Sequence, residues 1–213
     1  TPRSVPATYA SGILKSYVRT WDAKAPESDP NTLMARSLDA VQQTTQYLDG
    51  LGRPLQTVVK QGSLITNGTP VDMISAIEYD AFGREPFKYL PTPATTSDGL
   101  FKLNPFAQQA VFYNSSSSSS PLYNQNETFF YGQTVFEASP LSRVTETAAP
   151  GSWAATMSNA TESNRRSAKT KYYVNTATDA VRIWKVTNNA TIGNWGSYAS
   201  SVAYPAGTLF KTI

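Results

Sequence analysis

Two stretches of this chain hold an acid, a glycine and a base close together. One reads Tyr47-Leu48-Asp49-Gly50-Leu51-Gly52-Arg53-Pro54 and the other Glu78-Tyr79-Asp80-Ala81-Phe82-Gly83-Arg84-Glu85. The chemistry open to such an aspartate is metal binding. Each copy supplies one carboxylate, whereas calcium takes six or more oxygens, so the pattern reads as a turn cap. Asp at i with Gly at i+3 fits a type I turn closing a hairpin, its carboxylate accepting backbone N–H bonds. Gly52 and Gly83 are then expected at positive φ, in the left-handed region or a bulge. Leu51 and Phe82 would point off the turns onto a neighbouring hairpin. Arg53 and Arg84 start the return strands, within reach of the carboxylates of this copy or the next. Phe136 to Val144 is a degenerate third copy: Phe136 stands for Tyr, Glu137 for Asp and Ser142 for Gly, with the acid further from Arg143.

Other chemistry is narrowed by what is missing. The chain contains no histidine and no cysteine, which removes Ser-His-Asp and Cys nucleophiles, His/Cys zinc sites, iron–sulfur clusters and disulfides. A carboxylate-based hydrolase is the enzyme class still open, and it needs two acids facing one cleft. Trp21, Trp153, Trp184 and Trp195 could line a sugar platform. Trp184, inside an alternating strand, is expected in a core. Trp195, in loop-like Asn194-Trp195-Gly196, is the better exposed ligand aromatic. The Asn-x-Ser/Thr sequons at Asn67, Asn114, Asn126, Asn159 and Asn189 are what an Asn/Ser/Thr-rich chain supplies by chance. No catalytic residue, cofactor or metal site is expected.

The elements that must position the turns are mostly β. With 213 residues the chain can form one large or two small domains, and 12 Tyr and 9 Phe against only 15% charged residues suit strands better than helices. The net charge of +3 is scattered. Its one cluster, Arg165-Arg166 with Lys169 and Lys171, reads as a solvated turn before a strand rather than a nucleic-acid stripe. No apolar run is long enough to span a membrane. Residues 1–12 read as an extended segment. Strands are expected near 13–21, 41–47, 55–60, 71–79, 87–90 (ended by Pro91 and Pro93), 170–176, 180–186 and 207–213, and Phe129 to Gly132 opens a further β-rich block. Val181 to Val186 alternates as a half-buried strand should. Asp29 and Pro30 cap a short helix over 30–35. Asn104-Pro105 caps a second over 104–113, with Phe106, Gln109, Ala110 and Tyr113 on one face. Residues 114–121 form a flexible Ser-rich loop. The last residues are strand-like with no turn after them, so the sequence is expected to continue past 213.

These residues resemble YD repeats: Tyr79-Asp80-Ala81-Phe82-Gly83-Arg84 matches that motif nearly in full, while the first copy departs in having Leu48 before Asp49. Tyr17-Val18-Arg19, Val41-Gln42-Gln43, Tyr47 to Thr57, Tyr79 to Leu90, Phe136 to Gly151, Val181 to Lys185 and Tyr204 to Leu209 are similar to the N-terminal domain of Bacteroidetes RHS-repeat proteins. The likeness covers about 13–213. It implies a mainly β domain of antiparallel hairpins forming an open or shell-like sheet at the start of a very large exported polypeptide. A toxin or enzyme would follow far downstream, and the far end often carries a type IX secretion signal. The partners implied are the downstream shell of the same polypeptide and secretion or outer-membrane surface proteins, at a secreted or cell-surface location. The expected function is structural and non-catalytic. The alternatives are a carbohydrate-binding adhesin and, behind it, a carboxylate hydrolase.

Overall fold

A computed structural model describes residues 3–63, 68–118, 120–151 and 166–213. Trp153, Arg165 and the sequons at Asn67 and Asn159 lie outside the described residues, as do Thr1, Pro2, Ser119 and part of the loop expected after Gly62. The chain divides into two compact units, residues 1–168 and 169–213. The fold is mainly antiparallel β with two short α-helices among the described residues.

The first unit contains β1 (Ser16–Ala23), α1 (Pro30–Ala35), β2 (Val41–Leu48), β3 (Pro54–Val59), β4 (Met73–Glu78), β5 (Phe87–Tyr89), β6 (Thr92–Pro93), α2 (Pro105–Tyr113), β7 (Tyr131–Phe136), β8 (Val144–Ala148) and all but the last residue of β9 (Ser167–Lys169). They form one sheet in the order β1-β2-β3-β4-β5-β7-β8-β9, with β6 beside β4. One register row shows what fixes it. Thr45 faces Val58, Val58 faces Ile74 and Ile74 faces Thr92, and all four side chains are buried. Slipping any of these strands by one residue would turn this row to solvent. Burying Val58 and Ile74 contributes about 1.5–3 kcal/mol each. β5 ends at Tyr89, ahead of Pro91 and Pro93; Thr92 and Pro93 then pair separately with β4 as β6, because a proline at a strand end forfeits no ladder bond that its neighbour needs.

The face of this row is covered by three pieces. Residues 3–10 form an extended arm, anchored by a bond from Tyr9 N to Leu103 O (2.9 Å). The segment before α2 is clamped by Gln56, a buried glutamine that accepts from Lys102 N (2.8 Å) and donates to Lys102 O (3.1 Å). Helix α2 buries Pro105, Phe106 and Gln109 and packs Ala110 and Tyr113 against Phe129, Phe130 and Tyr131. Asn104 makes no side-chain cap bond to this helix; its Oδ1 instead accepts from the Thr8 hydroxyl at 3.2 Å. Asp29 does cap α1, accepting from Asn31 N at 2.9 Å. Between sheet and cover the core is a chain of rings: Tyr47–Phe101–Tyr9–Phe106–Tyr89–Tyr131, each centroid 4.9–5.9 Å from the next. Four of the 12 tyrosines and two of the nine phenylalanines meet here, in tilted and edge-on pairs.

The second unit holds β10 (Tyr172–Val174) paired with β13 (Phe210–Thr212), and β11 (Arg182–Thr187) paired with β12 (Ser197–Ala203). Buried Asn175 closes its loop, accepting from Thr208 N and Leu209 N and donating to Pro205 O. Trp184 is not in a core. It is 66% exposed, because β11 and β12 form a two-stranded sheet and alternation buries a face only where a second layer lies on it.

Candidate functional site: a stitched row of hairpin turns

The two Asp-x-x-Gly-Arg stretches fold into turns with the same hydrogen-bond pattern. Gly52 N donates to Asp49 O and Gly83 N to Asp80 O (3.0 and 2.9 Å), and the ladder closes from Asp49 N to Arg53 O and Asp80 N to Arg84 O (2.8 and 2.9 Å). Asp49 Oδ1 accepts from Leu51 N and Arg53 N, and its Oδ2 from Arg53 Nε (2.8 Å). Asp80 repeats this with Phe82 N, Arg84 N and Arg84 Nε (2.8 Å). Each guanidinium thus pairs with its own turn's acid. Gly52 and Gly83 stand at φ +77° and +75°, where a Cβ is costly.

The third copy reaches the same shape with the work divided. Ser139 takes the capping position, its hydroxyl accepting from Leu141 N (3.2 Å) and its carbonyl from Ser142 N (3.0 Å). Glu137 supplies the charge, accepting from Arg143 Nε and Nη2 at 2.9 Å each. Ser142 holds φ +49° where the other copies have glycine. The two extra residues are therefore what a serine cap and a longer acid need to replace one aspartate. The Arg143 bonds, then the Ser139 hydroxyl, pull Glu137 down to a pKa of about 2 from 4.5. Its folded value lies below its unfolded one, so its contribution is complete above pH 4.5 and fades as pH falls toward 2. A carboxyl NMR titration should find Glu137 titrating near 2, and Arg143→Met should return it toward 4.5.

What joins the copies is the arginine. Arg53 of the first turn lies over the ring of Tyr79, which precedes the acid of the second, at 4.5 Å. Arg84 of the second lies over Phe136, at the same place in the third, at 4.6 Å. Tyr79 also donates its hydroxyl to Pro54 O across the seam at 2.9 Å. Tyr47 has no such part: one residue out of step, it faces the core and donates to Gly99 O. The matching place in the first copy is Leu48, beside β1 rather than another hairpin. The stack should give a coupling of about 0.5–1 kcal/mol between Arg53→Ala and Tyr79→Leu in a double-mutant cycle read by urea unfolding. An additive cycle would show the two rows merely adjacent.

The turn tips do not pack as expected. Leu51, Phe82 and Leu141 are 80%, 81% and 71% exposed, because the seam is filled by the arginines behind them. Trp195 is 95% exposed, just ahead of β12, and Trp21 is half-buried in β1. Among the described residues no group of three acids is placed to hold a metal ion, and no helix is long and apolar enough to cross a membrane. Asp72 and Asp98 do converge, but on the ammonium of Lys102, which fills the space between them. That cluster, like the arm, joins residues too distant in the chain for spacing to reveal. A family model described as a domain of unknown function, DUF6443, matches residues 19–168. No curated protein and no solved structure matches the chain.

Proposed function

We propose that this chain, which belongs to the DUF6443 domain family, is a non-catalytic structural module that begins the β-shell of a large exported RHS/YD-repeat polypeptide. One observation carries the reading: the arginines of the first two turns, Arg53 and Arg84, each stack on the aromatic ahead of the next turn's acid. Such a link lets hairpins be added one at a time, each bringing the ring that its predecessor's arginine covers. The row has a first member, because Leu48 stands where later copies carry the ring. Secretion or outer-membrane surface proteins are the partners this role would need, at a secreted or cell-surface location.

The test is the structure of the parent polypeptide with the residues that follow Ile213. Further hairpins with the same acid–arginine turn, continuing one sheet, are the expected result. An unrelated fold there, with no such turns, would overturn the proposal. A second reading rests on the second unit, where Trp184, Trp195 and Tyr198 are all exposed: a carbohydrate-binding adhesin. It expects glycan-array binding that Trp195→Ala abolishes, and it fails if no glycan binds.

A further inference from the structure

We infer that Glu78, Phe87, Tyr89 and Tyr131 form a guanidinium-recognition seat, that Arg3 occupies it in cis, and that the arm 3–10 is a replaceable peptide ligand of the sheet. The seat is built from strands β4, β5 and β7. Arg3 meets Glu78 side-on, Nη1 to Oε2 at 2.6 Å and Nη2 to Oε1 at 2.9 Å. Its guanidinium carbon lies 3.9 Å from the Phe87 ring centroid. Nη1 also donates to the Tyr89 hydroxyl at 2.8 Å, and Arg3 N donates to the Tyr131 hydroxyl at 3.2 Å. Two parallel N–H bonds to one carboxylate, with the same plane laid on a ring, suit a guanidinium. A lysine ammonium has one nitrogen and no flat face, so it cannot make both contacts.

The residues of the seat also contact one another directly. Tyr89 donates its own proton to Glu78 Oε2 at 2.8 Å and packs on Phe106 at 4.9 Å. Tyr131 is edge-on to Phe87 at 5.4 Å. Burial, and then the Glu78 bond, push the Tyr89 hydroxyl well above its ordinary pKa, so it remains a donor throughout the neutral range. The second contact is Tyr9, whose ring lies against Phe101 and Phe106 and whose hydroxyl donates to Ile77 O at 3.2 Å. Ser4, Val5, Ala7 and Thr8, between the two anchors, are exposed. This is the layout of an extended peptide read at two side chains, an arginine and a tyrosine, rather than of a strand in the sheet. Glu78, the last residue of β4, bonds to Arg3 and Tyr89, whereas Tyr79, just past the strand, meets Pro54 and Arg53, so the seat shares no contact with the turn seam and does not depend on the shell reading.

The experiment uses the full chain carrying Arg3→Ala, with N-acetyl-arginine amide and N-acetyl-lysine amide as probes. The expected result is a lowered Tm that the arginine compound restores saturably at millimolar concentration, with NMR shifts at the Phe87 and Tyr89 rings. The lysine compound should bind about tenfold more weakly or worse. Wild-type protein, its seat filled, should not respond at these concentrations. Equal responses to the two compounds would overturn the inference, as would an equal response from wild type or from the chain with Arg3→Ala and Glu78→Gln together. Should Arg3→Ala fail to fold, Arg3→Lys keeps the charge but loses the fork, and the same arginine-selective rescue is expected of it.

Discussion

Replacing Asp72 by alanine lowers the unfolding free energy of the first unit by about 3–5 kcal/mol. Asp72 is fully buried and Lys102 is 6% exposed, with 2.7 Å between Oδ2 and Nζ. The carboxylate also accepts from Gln61 N (2.9 Å) and Gly99 N (2.7 Å). Alanine strands all three donors, and each lost buried bond costs about 1–3 kcal/mol. The ammonium keeps the Thr96 hydroxyl at 2.6 Å and half-exposed Asp98, which lessens the loss but does not cancel it. The consequence is tertiary: Asp72 at the head of β4 holds residues 94–102, and that segment is the lid over Gln56 and Tyr47. Urea unfolding gives the total, and hydrogen exchange at Gly99 and Gln61 should locate it. Lys102→Met combined with Asp72→Asn should recover much of the stability, since removing both charges leaves neither partner stranded. A loss under about 1 kcal/mol from Asp72→Ala would mean that water reaches the cluster.

The turns were legible in the sequence because their chemistry is local. An aspartate reaches donors two and four residues on, and a glycine marks positive φ without reference to the rest of the chain. The helices were legible for similar reasons, α1 from Asp29-Pro30 and α2 from the spacing of Phe106, Gln109 and Tyr113. Contacts that depend on register were not. Nothing along the chain distinguishes an arginine that stacks on the next hairpin's tyrosine from one that points to solvent, and Leu51 and Phe82 were expected in the seam that Arg53 and Arg84 fill. The exposure of Trp184 is not legible in the sequence, because period-2 alternation shows only that a strand has two faces, not that a layer covers one. The arm was legible only as an extended segment: Arg3 and Glu78 meet across 75 residues. Asp72 and Lys102 are two unremarkable charges until the fold brings them together.

Gly83→Val lowers stability by about 1–3 kcal/mol, for two separable reasons. The first is conformational. At φ +75° a β-branched side chain is strained whatever the surrounding space, and the two turn bonds across Asp80 leave the backbone no other path. The second is the seam. A Cβ on Gly83 would stand 3.0 Å from Arg53 Nη1, so the new side chain crowds that guanidinium where it lies over Tyr79. Gly52 separates the two effects. It has the same φ, +77°, but nothing lies within 4 Å of its added Cβ. Gly52→Val should therefore carry the backbone strain alone and lose less than Gly83→Val by the worth of one stack, about 0.5–1 kcal/mol. Gly83→Asn should be milder than either, since asparagine tolerates the left-handed region and the third copy already places Ser142 there. Thermal melts of the three variants rank the terms. A melt of Gly83→Val unchanged from wild type would show that the turn does not hold its glycine at positive φ. Equal losses at Gly52 and Gly83 would show that the arginine stack contributes nothing, and the stitching between hairpins would then be geometry without energy.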